Sequence, residues 1–190
     1  MELIDISQEL FSSSVYPGDC PPTCKRVREI ANGDLYNLTE LSLSAHNGTH
    51  LDAPLHFLAD GKDIAQMSLS RCIGPCTVAE LPADPDAIAA LLQHAKPRLL
   101  LKNMPALTEE TAALLGKHLL LLGTESITVG PLVVHKQLLQ RDVAILEGLV
   151  LSHVAPGDYM LIAPPLKLDG SDGAPCRAVL IKEPEVSHAG

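Results

Sequence analysis

The chain has 190 residues, of which 46% are apolar and 19% charged, and its formal net charge is −9. This length fits one domain with a real core, and the composition excludes a disordered tail. The acidic balance argues against a nucleic-acid partner and against an anionic membrane surface, since both need a basic face. Aromatic residues make up only 3%, with no Trp, so the core must be aliphatic.

In chain order, the opening Met1-Glu2-Leu3-Ile4-Asp5 has neither a basic region nor a long apolar stretch, so no signal peptide is expected. Short Pro-Gly pieces at 16–22, 74–75 and 163–165 read as turns and loop edges. Cys20, Cys24, Cys72, Cys76 and Cys176 are odd in number, and the close pairs are spaced C-x₃-C. They read as reduced packing or loop residues of a cytoplasmic protein, the alternative being a Cys₄ zinc site. Residues 38–46 alternate, with Leu41, Leu43 and Ala45 on one side and Glu40, Ser42, Ser44 and His46 on the other. This is strand periodicity, and Asn47-Gly48 then supplies a turn.

A helix opens at Asp84-Pro85, where an Asp cap and a first-turn Pro precede an apolar run. A short buried strand is expected at 98–102 and a helix capped by Thr108 after it. A strand at 119–123, a helix at 133–140 and strands at 143–146 and 159–163 complete the series. The runs at 99–101 and 119–122 are far shorter than the ~20 apolar residues of a bilayer crossing. The second half therefore reads as α/β with a sheet buried by helices, and the first half as β-structure with loops. No repeat or long linker divides the chain, so one domain over 1–190 is expected.

The chemistry concentrates in eleven residues, His46-Asn47-Gly48-Thr49-His50-Leu51-Asp52-Ala53-Pro54-Leu55-His56. Asn47-Gly48-Thr49 is poor helix material, so the H-x₃-H pair is not the helical zincin arrangement. In an extended segment His50 and Asp52 point to the same side, and His46 can meet them across the turn from the polar face of the preceding strand. Two imidazoles and a carboxylate suit Zn²⁺ or another first-row divalent ion and leave a coordination position open. His56, beyond Pro54, is positioned as a proton carrier that does not hold metal. Downstream, His135 lies on the apolar face of a short helix with Leu132, Leu138 and Leu139. Glu147 interrupts an apolar run, where a buried carboxylate needs a cation, hydrogen-bond donors or a salt bridge to Arg141 or Arg177. Apart from Asp52 and Glu147, the other acids form no visible constellation.

The window 46–56 resembles the H-x-G-T-H-x-D-x-P-x-H motif of the cyclase family of metal-dependent hydrolases, whose members include bacterial kynurenine formamidases. Asp5-Ile6-Ser7, Tyr16-Pro17-Gly18-Asp19, Ile73-Gly74-Pro75, 145–149, 161–166 and Gly170-Ser171-Asp172-Gly173-Ala174-Pro175 extend the resemblance nearly end to end. It implies an α/β domain of the swivelling β/β/α type, with a mixed sheet flanked by helices. It implies two divalent ions per chain, Zn²⁺ foremost and Mn²⁺ as the alternative. Asp52 would bridge them, His46 and His50 completing one and His135 and Glu147 the other. The implied activity is hydrolysis of a small amide, an N-formyl aryl amide such as N-formylkynurenine, by a metal-held hydroxide. A cyclic amide, imide or lactone hydrolase, or a non-catalytic metal-binding homologue, are the alternatives. The resemblance also implies a homodimer or homotetramer with a small-molecule substrate. Many kynurenine formamidases carry Trp where this chain has Tyr16, which leaves an aromatic substrate less to pack against.

Overall fold

The computed structural model describes residues 1–182. The first 80 residues are β-rich, with β1 (Glu2–Asp5), β2 (Thr23–Arg28), β3 (Leu38–Ser42), β4 (His50–Asp52) and β5 (Ile73–Glu80). Helices and strands then alternate as α1 (Pro85–His94), β6 (Arg98–Lys102), α2 (Glu109–Leu115), β7 (Leu121–Thr124), α3 (Leu132–Leu139) and β8 (Ala144–Glu147). Three strands close the series, β9 (Gly157–Ile162), β10 (Gly173–Pro175) and β11 (Val179–Lys182).

Nine strands form one mixed sheet in the order β1-β11-β9-β5-β6-β7-β8-β4-β10, while β2 and β3 pair apart from it as a two-stranded hairpin. Strands β5 to β8 run parallel, and a helix crosses over between each consecutive pair. That is the connection a parallel pair requires. The flanking strands β9, β11, β1, β4 and β10 are antiparallel. The fold is thus mixed α/β, as expected.

Side-chain alternation along the central strands builds two cores. Leu100, Leu121, Ala144 and Leu146 point to one face with Ile6, Leu149 and Leu161. Leu99, Leu101, Leu122 and Ile145 point to the other, against Ile88, Leu115, Val134 and Leu138 of the helices. Burial on both faces explains why these strands read as continuous apolar runs. The helix starts follow the anticipated chemistry: Asp84 accepts from the Ala87 amide and Thr108 from the Thr111 amide.

The structure corrects two local expectations. Gly74-Pro75 is no turn but lies within β5, where the Arg98 guanidinium fills the space a side chain at Gly74 would need, 2.6 Å from its Cβ position. Strand β3 stops at Ser42, so His46 sits in a turn rather than at the end of a strand. Leu41 faces solvent, because the hairpin has no second layer beneath it in one chain. Cys72 and Cys76 are buried while Cys20 and Cys24 are exposed, and among the described residues no cysteine belongs to a cluster of three or more potential metal ligands. Among the described residues no helix is long and apolar enough to cross a membrane.

Candidate metal centre

Strand β4 is the axis of the site. It lies between β8 and β10, with His50 opposite Glu147 and Asp52 opposite Gly173. Glu147 is the last residue of β8, so it stands at the carboxyl end of the parallel strands, where open α/β sheets form their crevices. His135 reaches the same place from α3. The 46–48 turn is held by Asn47, whose side chain accepts from the Ser44 amide at 2.8 Å. It is also pressed against Gly148: a Cβ there would stand 2.5 Å from the Gly48 carbonyl oxygen, and Gly148 has φ +69°. No other residue fits that contact.

Each of three imidazoles has one ring nitrogen tied to a group that can only accept. His50 Nδ1 lies 2.9 Å from the Gly48 carbonyl, and His135 Nδ1 lies 3.4 Å from that of Pro131. His46 Nε2 lies 2.9 Å from Asp172 Oδ2. These nitrogens must donate, so in each neutral ring the opposite nitrogen carries a lone pair. All three lone pairs face acids. His46 Nδ1 is 3.0 Å from Asp52 Oδ1, and His50 Nε2 is 3.4 Å from Asp52 Oδ1 and 3.6 Å from Glu147 Oε2. His135 Nε2 is 3.1 Å from Glu147 Oε1 and 4.0 Å from Asp52 Oδ2. Acceptor against acceptor is repulsive unless a positive charge lies between them.

The electrostatics say the same. Burial disfavours a charged imidazole, but hydrogen bonds to Asp52 and Glu147 outweigh it and raise the His50 pKa to about 10. His46 and His135 are raised for the same reason, against their own burial. Burial likewise opposes ionisation of Asp52, yet the His46 and His50 contacts hold its carboxyl below the usual range. Asp52 Oδ2 is buried with no hydrogen-bond partner among the described residues. An orphaned carboxylate oxygen facing imidazole lone pairs and a second buried acid is the donor set of a divalent-cation site.

Two groups of donor atoms lie within 4.8 Å of one another, His46/Asp52/His56 and His50/Asp52/Glu147. Asp52 belongs to both. His135, 3.1 Å from Glu147, stands beside the second. His50 thus sits with Glu147, whereas the family resemblance groups it with His46. Beside these donors opens a cavity of about 430 Å³, with Tyr16, Asp19, Phe57, Ile127 and Leu132 among its walls. The Phe57 ring stacks on His135 with centroids 5.0 Å apart.

Residues 4–104, a segment that carries the 46–56 cluster, match the Cyclase family model. The chain belongs to the Cyclase family. Solved structures extend the likeness past residue 104. One, described as a potential metal-dependent hydrolase with cyclase activity, is 25% identical with TM-score 0.76, covering 96% of this chain and 99% of the other. A predicted metal-dependent hydrolase from Bacillus stearothermophilus is also 25% identical with TM-score 0.76, covering 94% and 97%. Isatin hydrolase A from Labrenzia aggregata shares the fold at 21% identity and TM-score 0.78, covering 96% and 94%.

The structure brings His46, His50, Asp52, His56, His135 and Glu147 together around one cavity, Asp52 lying just behind its wall. The salt-bridge alternatives for Glu147 fail: Arg177 pairs with Asp5, and Arg141 donates to the Gln137 carbonyl. Glu147 instead accepts from the Val129 amide at 2.6 Å and meets the two histidines. Leu132, placed with His135 on the apolar face, is exposed at the cavity rim. One acid was missed. Asp172 contacts both His46 and His56, so the expectation that no acid beyond Asp52 and Glu147 belongs to the constellation is wrong. Its only sequence signal was its place in the Gly170–Pro175 segment.

Proposed function

We propose that this Cyclase-family chain is a metal-dependent hydrolase of small amides. Three histidines aim lone pairs at two buried carboxylates, and that arrangement is the observation carrying the reading. His46, His50, Asp52, His135 and Glu147 would hold two divalent ions, Zn²⁺ or Mn²⁺. A divalent ion in such a site would supply Lewis acidity and lower the pKa of a water towards neutrality. The chain's own residues do the rest. Phe57 and Tyr16 line the cavity and supply the rings a small planar group would meet, and His56 takes up a proton at the cavity and passes it to the departing nitrogen. His56 Nδ1 donates to Asp172 Oδ2 at 3.0 Å, so the other ring nitrogen is the one that exchanges a proton with substrate.

Two substrate readings divide on charge. An N-formyl aryl amide such as N-formylkynurenine is the first, and it brings a carboxylate. A neutral cyclic amide of the isatin kind is the second. It is favoured by the cavity lining, which among the described residues contains Asp19 but no Lys or Arg to receive a carboxylate. The isatin hydrolases of the same fold agree with it. Steady-state turnover on matched neutral and carboxylate-bearing formamides and cyclic amides, with metal fully loaded, decides between them. No turnover on any member leaves a metal-binding, non-catalytic protein.

We also propose that two or more copies assemble through the β2–β3 hairpin. An isolated two-stranded hairpin is marginal in water. Here every residue of β3 and nearly all of β2 is exposed, and Ile30, Leu35, Tyr36, Leu38 and Leu41 are bare apolar groups. A second copy covering this apolar hairpin removes that cost.

A further inference from the structure

We propose that Asp172 is a positioning residue that sets the tautomers of His46 and His56 through a single carboxylate oxygen. The inference rests on the reading of His56 as proton carrier and concerns what makes it competent. Asp172 Oδ2 lies 2.9 Å from His46 Nε2 and 3.0 Å from His56 Nδ1. The two rings lie against each other with centroids 4.1 Å apart and planes 31° from parallel. An ionised carboxylate has no proton to give, so both facing nitrogens donate. The consequence differs for the two rings. His46 is left with its Nδ1 lone pair towards Asp52, as a metal ligand needs. His56 is left with Nε2 free at the cavity, as a proton carrier needs. Either ring in the other tautomer would present an N–H where the site requires a lone pair.

The backbone fixes this oxygen in space. Asp172 directly precedes β10, and its carbonyl accepts from the Ala53 amide at 2.9 Å, clamping it to the segment that leads into His56. Ser171 is held in turn by the Ile64 amide at 2.9 Å. Room for the His46 ring comes from Gly173, where a Cβ would stand 2.7 Å from His46 Cε1 and 2.8 Å from the Leu51 carbonyl oxygen. A glycine beside the acid lets the ring lie over the strand and reach the carboxylate.

Histidine ¹⁵N–¹H correlation spectra of the zinc-loaded wild type test this without any substitution. The expected result is His56 protonated at Nδ1 and bare at Nε2, and His46 protonated at Nε2. A His56 protonated at Nε2 alone would overturn the proposal. Asp172→Asn adds a kinetic arm, since the isosteric amide can offer an N–H to a ring nitrogen. It is expected to lower kcat by ~10–100-fold, the usual effect of losing an orienting partner, while metal content at saturation stays unchanged. Placed on His56→Ala it should cost less than in the wild-type background, because only the part that acts through His46 remains. An equal loss in both backgrounds, or wild-type kcat in Asp172→Asn, overturns it. If His56→Ala alone turns over at the wild-type rate, the proton-carrier reading has failed, and the spectra alone judge Asp172. If Asp172→Asn does not fold, Gly173→Ala serves in its place: it should displace the His46 ring and shift the His46 resonances, and unchanged resonances count against the proposal.

Discussion

Two regions of the molecule break the ordinary division of apolar inside and polar outside, in opposite directions. At the β4–β8 junction His50, Asp52, His135 and Glu147 are polar and buried. On the β2–β3 hairpin and its connecting loop Leu35, Tyr36, Leu38 and Leu41 are apolar and exposed, Leu35 at 95%. Each anomaly names the chemistry of what would relieve it. Buried acids with lone pairs between them call for a cation, and bare leucines on a thin hairpin call for another apolar surface. The first anomaly is set by geometry to tenths of an ångström and demands one kind of partner. The second is set only by area and tolerates repacking.

The sharpest break of the comparison is at the buried end. Asp52→Asn removes the charge shared by both donor groups and is expected to lose bound metal and lower kcat/KM by more than ~10³-fold, since several electrostatic aids worth ~10²–10³ each fail together. Elemental analysis and turnover check it. In parallel, His135→Ala should lower metal content from two ions per chain towards one. One ion in both wild type and variant, under metal-replete conditions, would leave Glu147 a structural acid.

Next in size is His56→Ala, expected to keep its metal and lose about 10²–10⁴ in kcat, the usual worth of a positioned acid–base group. The loss should shrink on aryl esters, whose leaving oxygen needs little help from a proton. Arrival of the variant depleted of metal would instead make His56 a ligand, as its place beside His46 and Asp52 allows.

The pH dependence of the metal-free protein gives a smaller effect with a definite sign. His50 has a folded pKa of about 10 against an ordinary 6.5, so its contribution to stability is full below 6.5 and fades as pH rises through about 10. Asp52 is shifted down from 3.8, so its contribution is full above 3.8 and fades on acidification. Chelator-treated protein should therefore have its highest Tm between these ordinary values and lose stability from pH 6.5 to 10. Saturating zinc should flatten that alkaline loss, because metal then replaces the imidazole protons. Parallel alkaline slopes with and without zinc would contradict the shared-site reading.

The smallest expected effect is at the hairpin. Leu38→Glu with Leu41→Glu should leave the fold intact and shift the mass by light scattering to that of the 20.2 kDa monomer. A wild type already monomeric at micromolar concentration would remove the hairpin from the comparison.

How far the sequence carried the reading depends on the range of the interaction. Helix caps at Asp84 and Thr108, the buried runs of β6 to β8 and the shared face of His50 and Asp52 are local, and all were legible. The place of His46 was half legible: the Asn47-Gly48 turn was evident, but the early end of β3 was not, because the Asn47 side chain satisfies the Ser44 amide that a longer strand would have used. Strand β5 was hidden by Gly74-Pro75, since only the Arg98 side chain, from a neighbouring strand, explains a glycine there. Asp172 was illegible for the same reason. It stands 126 residues from His46 and 116 from His56, and only the β4–β10 pairing brings them together.

The position of β4 between β8 and β10 also governs when the site can come into being. A chain leaving the ribosome presents His46 to His56 early, but those residues gain their neighbours only after 135–147 and then 172–175 have been made. Until then β4 has no strand on either side, and its donors are separate side chains in water rather than a site. Such long-range pairing is slow to form. On the proposed reading, metal acquisition would therefore follow synthesis of residues 172–175, and ions captured sooner by the isolated H-x₃-H-x-D stretch would meet a different coordination shell from that of the assembled site.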